Sequence, residues 1–189
     1  MAKRLDARIV AIGACVALIC ALGAGLLASV VLGEDESPVG RAELVPATEL
    51  DPHVVMAVPL ETLDGEATDL AAWQGDRPLL VNLWAQSCVP CIEEMPLFEQ
   101  LHQSDDRVDM FGVDVLDSLD RAEQLADQTG ITYPWVRDPM GELFVAAQGA
   151  YMPVTFMIGT DGSLLATKTG AFEDQGALGR WVDDALAGS

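Results

Sequence analysis

An α/β domain behind one N-terminal apolar helix is the architecture this sequence predicts. Three observations predict it. Residues 9–32, "IVAIGACVALICALGAGLLASVVL", contain no charged side chain. After them, strand-like and helix-like patterns alternate in the order β, α, β, α, α, β, β, α, which implies a central mixed sheet flanked by helices. Inside that alternation stands "WAQSCVPC", two cysteines two residues apart where an apolar strand gives way to a helix.

The apolar run comes first. As a helix its length is roughly 36 Å, enough to cross a hydrocarbon core of ~30 Å. Lys3, Arg4 and Arg8 precede it, and Glu34, Asp35 and Glu36 follow. The basic flank stays in the cytoplasm, which places everything after it outside. The expected organisation is a cytoplasmic N-terminus over residues 1–8, a transmembrane signal anchor over 9–32, a linker over 33–51 and the folded domain over 52–189. A cleaved signal peptide is the competing reading. Its apolar region would be shorter, about 7–15 residues, and a small-residue cleavage site would follow. Cys15 lies in mid-run, which argues against a lipidated cysteine, and Cys15 and Cys20 fit there as small apolar groups. The linker "EDESPVGRAELVPATELD" has the prolines, small residues and charges of a loose tether.

Charge excludes some partners. The chain carries 10 Lys and Arg against 30 Asp and Glu, a net charge of −20. Only Asp6 of those acids precedes the apolar run, so the outer part is the acidic one. Nucleic acid and bare anionic lipid are repelled by such a surface.

The domain's elements follow in order. "VVMAVPLETLDGEATDLAAW" reads as a β-hairpin turning at Asp64 and Gly65. "PLLVNLW" is an apolar strand of the kind buried on both faces. Residues 88–103 form a helix whose apolar face is Ile92, Met95, Phe98 and Leu101 or Leu97, bent by Pro96. Residues 108–115 are a second strand, and the connection between the two strands is a right-handed crossover. "SLDRAEQLADQTG" is a helix with Ser118 as candidate cap and Gly130 as its stop. "ELFVAAQG" is a shorter helix. "VTFMIG" and "LLATKTG" are strands joined by a hairpin turn at residues 160–163, and "FEDQGALGRWVDDALA" closes the chain as a helix.

Three chemistries compete for Cys88 and Cys91. Zinc wants four ligands, yet the only histidines, His53 and His102, show no ligand spacing to the pair. A structural staple gains little from closing a loop of two residues. The redox reading explains the placement. Cys88 stands at a strand-to-helix junction, where unpaired N–H groups and the helix dipole favour a thiolate. Cys91, one turn on, is placed to attack a mixed disulfide at Cys88. Pro90 suits an early helix position, where its missing N–H costs little. In an oxidising compartment the Cys88–Cys91 pair spends part of its life as a disulfide.

The stretches "LLVNLWAQSCVPCIEEMP" and "GAYMPVTFMIGTDGSLL" resemble the thioredoxin superfamily, and within it the membrane-anchored TlpA/ResA-type thiol–disulfide oxidoreductases that include the cytochrome c maturation thioredoxins. The resemblance runs from about residue 54 to the C-terminus and implies a thioredoxin-like fold. It makes Met152-Pro153 the cis-proline site beside the cysteines, where the preceding backbone pairs with an extended substrate. It makes Trp84 the tryptophan packed under the site, a place that plain core packing also explains. Glu94 matches an acid that exchanges protons with the thiols; a solvated place on the helix face is the alternative, and Glu93 beside it points to solvent. Departures carry information too. Asn82 stands where thioredoxins proper hold a buried aspartate, and an amide cannot relay protons. Ser87 replaces an aromatic before the nucleophile and is a second candidate helix cap. Tyr151 replaces a common glycine and either lines the substrate groove or simply packs beside it.

The resulting expectation is an extracytoplasmic thiol–disulfide oxidoreductase with Cys88 as nucleophile and Cys91 as resolving thiol. By resemblance it works in the reducing direction on exported thiol proteins such as apocytochrome c, is recharged by a transmembrane electron donor, and needs no cofactor. A thiol oxidase or isomerase, and a non-catalytic metallochaperone or docking module, are the alternatives.

Overall fold

The computed structural model describes residues 50–188, all within the compact unit Ala47–Ser189. The apolar segment at 9–32 lies outside the described residues. Among those described, no helix is long and apolar enough to cross a membrane.

Seven strands form one mixed sheet in the order β2-β1-β5-β4-β3-β6-β7. Its centre is β3 (Leu79–Trp84), buried at all six positions as its continuous apolar run requires. On one side β3 pairs in parallel with β4 (Asp109–Val115), through the crossover helix α2 (Val89–Ser104). On the other it pairs antiparallel with β6 (Val154–Ile158). The turn at residues 160–163, with Gly162 at φ +81°, returns the chain into β7 (Leu164–Thr169). The remaining helices are α1 (Pro52–Met56), α3 (Leu119–Thr129), α4 (Glu142–Ala146) and α5 (Gln175–Ala187).

Alternation along the strands sorts the side chains into two layers. Leu79, Val81 and Leu83 of β3 join Phe111, Val113, Phe156 and Ile158, and Val55 and Leu143 from α1 and α4 cover that face. Leu80, Met110 and Met157 point the other way, under Phe98 and Leu101 of α2 and Leu178 and Val182 of α5. Trp84 continues this second layer towards Cys91, Met95, Ala122 and Leu125.

Three expectations are corrected. Residues 54–56 are helical, because the Asp51 carboxylate accepts the His53 N–H at 2.9 Å and Pro52 opens the first turn. The hairpin shrinks to β1 (Leu60–Glu61) and β2 (Ala67–Thr68), and residues 70–73 form a 3-10 turn capped by Asp69. An additional strand, β5 (Trp135–Asp138), stands between α3 and α4 and pairs in parallel with β4. It is four residues long and carries Arg137, whose guanidinium reaches Glu61 of β1 at 2.5 Å, so it shows no apolar run to read. Leu50, assigned to the linker by sequence, is buried in the core. Gly130 ends α3 at φ +69° as expected, while Ser118 occupies the cap position without a side-chain capping bond.

Gly112 of β4 shows how tightly the second layer is closed. A Cβ there would lie 2.9 Å from Trp84 Nε1, 2.9 Å from Tyr133 Cε2 and 3.1 Å from Trp135 Cβ. Trp84 and Tyr133 are buried and Trp135 is half-buried. Gly112→Ala is therefore expected to destabilise the fold by about 1–3 kcal/mol through overpacking. Urea unfolding of the oxidised protein measures it, and an unchanged midpoint contradicts the packing argument.

Candidate active site

The site is built at the C-terminal end of β3. The strand ends at Trp84, a turn follows, and α2 begins at Val89 with Cys88 as its N-cap. The Cys88 N–H donates to Ala85 O at 3.0 Å, which closes the turn. The Cys88 sulfur accepts the Cys91 N–H at 3.2 Å. Cys88 itself thus occupies the helix mouth, and Ser87, the other candidate cap, is exposed. Pro90 sits in the first turn, where no intrahelical partner is lost. The helix runs on through Pro96, which is exposed.

Cys88 and Cys91 are joined by a disulfide. Their surroundings differ. Cys88 is half-buried, whereas Cys91 is fully buried among Trp84, Met95, Ala122 and Leu125. Solvent therefore reaches the first residue and not the second.

The cis peptide bond Met152-Pro153 lies at the same end of the sheet, because Val154 stands opposite Leu83 in the β6–β3 register. Met152 packs against the cluster that holds both cysteines and Trp84. Pro153 is buried and its carbonyl accepts the Gly170 N–H at 2.8 Å. Trp84 is fully buried, 5.4 Å from the Trp135 ring, so it is both core and floor of the site. Tyr151 is 62% exposed and leans towards Gly170 of the loop after β7, which makes it surface rather than packing. A pocket of about 290 Å³ beside the turn is lined by Ser87, Leu116, Phe144 and Met152.

Glu94 is buried, not solvated, at 1% exposure, while Glu93 is exposed. Its Oε1 accepts from Asn82 Nδ2 at 2.8 Å, and its Oε2 accepts the Phe172 N–H at 3.1 Å. The same Asn82 amide donates to Thr155 Oγ1 at 3.1 Å. Desolvation raises the Glu94 pKa to about 7, against the pull of the Phe172 amide, Asn82 and the Lys168 charge. Asn82 is therefore not an idle replacement for an acid. It anchors a carboxylate delivered from the facing helix to the same buried spot.

A second buried carboxyl was not singled out by sequence. Asp114 of β4 is fully buried opposite Trp84, and neither of its oxygens has a hydrogen-bond partner. Burial, and then the neighbouring Asp117 charge, raises its pKa to about 8, with Arg137 opposing. The signal available was an aspartate inside an apolar strand pattern, "FGVDV", which is costly to bury unless neutral.

Fold and site together define a thiol–disulfide oxidoreductase of the thioredoxin type. The chain belongs to the Redoxin family, whose model matches residues 41–180. It is similar to thiol-disulfide oxidoreductase ResA of Bacillus subtilis, 25% identical over 164 residues, covering 86% of this chain and 84% of that protein. It is also similar to ResA of Geobacillus thermodenitrificans, 28% identical over 113 residues, 59% of this chain and 64% of that protein. The chain thus spans just under two thirds of the latter relative. A solved structure of a secreted Mycobacterium tuberculosis disulfide oxidoreductase homologous to E. coli DsbE shares the fold, with TM-score 0.59 and 17% identity, over 70% of this chain and 96% of that one.

Burial raises the pKa of three carboxyls, Glu94, Asp114 and Asp138, and the first two, raised furthest, give stability a pH signature. Glu94 moves from 4.5 to about 7 on folding, and Asp114 from 3.8 to about 8. Both hold their protons more tightly folded than unfolded, so their contribution is complete below the unfolded values. It is lost as pH rises through the folded ones. The thermal midpoint of the oxidised protein is expected to fall between about pH 4.5 and 8, and the double variant Glu94→Gln, Asp114→Asn to flatten that fall. A slope equal in wild type and variant removes both groups as its source.

Proposed function

We propose that this protein is an extracytoplasmic thiol–disulfide reductase, tethered by the apolar segment at residues 9–32 and the linker after it. The observation that carries the reading is the unequal exposure of one disulfide's two sulfurs at a helix mouth. Reduced Cys88 sits where the Cys91 N–H and the helix dipole stabilise its thiolate. The thiolate attacks a partner's disulfide. A bond forms between Cys88 and one partner sulfur, the partner's S–S bond breaks, and the second partner sulfur leaves as a thiolate that takes up a proton. Cys91 then gives up its proton and attacks the Cys88 sulfur. The Cys88–Cys91 disulfide forms, and the first partner sulfur is released. Two electrons have passed to the partner, and the enzyme is left oxidised.

Glu94 serves as the proton store for the buried thiol. One helical turn separates it from Cys91, and a carboxyl poised near pH 7 both accepts and returns protons under working conditions. Met152 and Pro153 shape the surface beside Cys88, and by resemblance the Met152 backbone aligns an extended segment of the partner. Tyr151 stands exposed on the same side and contributes contact area. The partners are exported thiol proteins, apocytochrome c among them by the family resemblance, and a membrane electron donor returns the Cys88–Cys91 pair to the dithiol form.

Insulin reduction by dithiothreitol should be accelerated by the wild type and not by Cys88→Ala. Cys91→Ser should accumulate partners as mixed disulfides on Cys88; a variant that captures none while metal co-purifies supports a metal carrier instead. Glu94→Gln removes a negative charge beside Cys91 and should lower that thiol's apparent pKa; an unchanged titration removes Glu94 from the proton path. The reduction potential should lie nearer about −270 mV than about −120 mV, the range spanned by the superfamily's reductants and oxidants. A value at the upper end makes the protein an oxidant.

A further inference from the structure

The turn that presents Cys88 is held from outside as well as from within. Inside it, the Cys88 N–H closes onto Ala85 O at 3.0 Å. Outside it, Asp117 Oδ2 accepts the Gln86 N–H at 2.5 Å, across 31 residues of sequence. Asp117 is itself fixed, since its backbone carbonyl accepts from Arg137 Nη2 at 3.1 Å and the other arm of that guanidinium is paired with Glu61 at 2.5 Å. The chain reaches Asp117 through Leu116, which takes a left-handed backbone at φ +65°, a conformation a leucine adopts only when its surroundings impose it. The Arg137 guanidinium, itself paired with Glu61, and the carboxyl of Asp114 lie against Asp117. Asp114 is buried beside Asp117, and its pKa is raised by burial and by the Asp117 charge. Asp117 stands just after β4, with its carboxyl oxygen facing the Gln86 amide.

We propose that Asp117 is a positioning residue of the exchange reaction, which holds the turn at residues 85–88 through the Gln86 amide and so keeps the Cys88 sulfur in register with the mouth of α2. The inference rests on Cys88 being the attacking sulfur. Asp117 touches neither sulfur through any hydrogen bond; it acts through two peptide units. When the Gln86 amide is released, the turn gains freedom, the sulfur spends less time against the Cys91 N–H, and the thiolate loses part of its stabilisation. Asparagine at 117 keeps an oxygen for the amide and removes only the charge, so geometry and charge separate cleanly.

The test is the pH profile of iodoacetamide alkylation of the reduced full chain, with Cys88 and Cys91 resolved by mass spectrometry. Asp117→Ala is expected to slow Cys88 alkylation at pH 7 about two- to tenfold and to move its inflection to higher pH. Asp117→Asn is expected to recover the rate to within about twofold of wild type. An alanine profile that coincides with wild type overturns the proposal, and so does an asparagine variant as slow as alanine. Should the alanine variant not fold, Asp117→Ser, whose hydroxyl falls short of the amide, takes its place in the same comparison. Faster alkylation of Cys91 than of Cys88 in the wild type is a different failure: it removes Cys88 as the attacking sulfur and overturns the proposal together with the reading it rests on.

Discussion

A single contact organises the chemistry of this protein: the Cys88 sulfur receiving the Cys91 N–H at the first turn of α2. The cap of a helix usually carries a serine, threonine, aspartate or asparagine oxygen. Here a sulfur takes that place, and the same N–H would favour the thiolate in the exchange proposed above. Everything around the contact fixes its geometry. Strand β3 is buried along its whole length, so the point where the chain emerges is set by the core. Pro90 fills the next position without needing a partner, and Met152 closes the side facing β6.

The second constraint is the cost of a polar seam inside an apolar layer. Asn82, Glu94, Thr155 and Asp114 are all buried on the face that also holds Trp84 and Cys91. Burying such groups is unfavourable unless they bond to each other or shed their charge. Three of them do the first: one amide bridges Glu94 and Thr155, and the Phe172 amide completes the carboxylate. Asp114 does the second. The seam is thus tolerated by two different physical routes. Both leave a titratable group within the range where thiols exchange protons, which a purely apolar layer would not provide.

Legibility from sequence followed the range of the interaction. Strand β3, helix α2, strand β4, the β6–β7 hairpin and the stop at Gly130 were readable because each declares itself within a dozen residues, by period or by turn chemistry. The cysteine pair was readable for the same reason. Strand β5 was not, because four residues with an arginine on one face owe their conformation to β4 and to Glu61 rather than to their own pattern. Helix α1 was masked by β-branched Val54 and Val55, whose preference the Asp51 cap and Pro52 override. The burial of Glu94 hung on Phe172, 78 residues away, and the hold on the Cys88 turn on Asp117. Glu93 and Glu94 are identical in type and adjacent in the chain; only the helix phase and its distant partners decide that one is solvent and the other core.

The charge of the chain sharpens the question of what stabilises a thiolate here. A protein with net charge −20 surrounds its sulfur with a field that opposes another anion. That field is made of many exposed carboxylates, and each is screened beyond about 10 Å at ordinary salt. The opposing influence is the Cys91 N–H at 3.2 Å and the aligned peptides behind it, too close for solvent ions to intervene. The near dipoles and the distant charge therefore act on the sulfur at different ranges. An acidic surface and the nucleophilic role proposed for Cys88 are compatible because the two influences act at different ranges. The hydrogen bonds that hold residues 85–88 are accordingly part of the electrostatics of the site, not only of its shape.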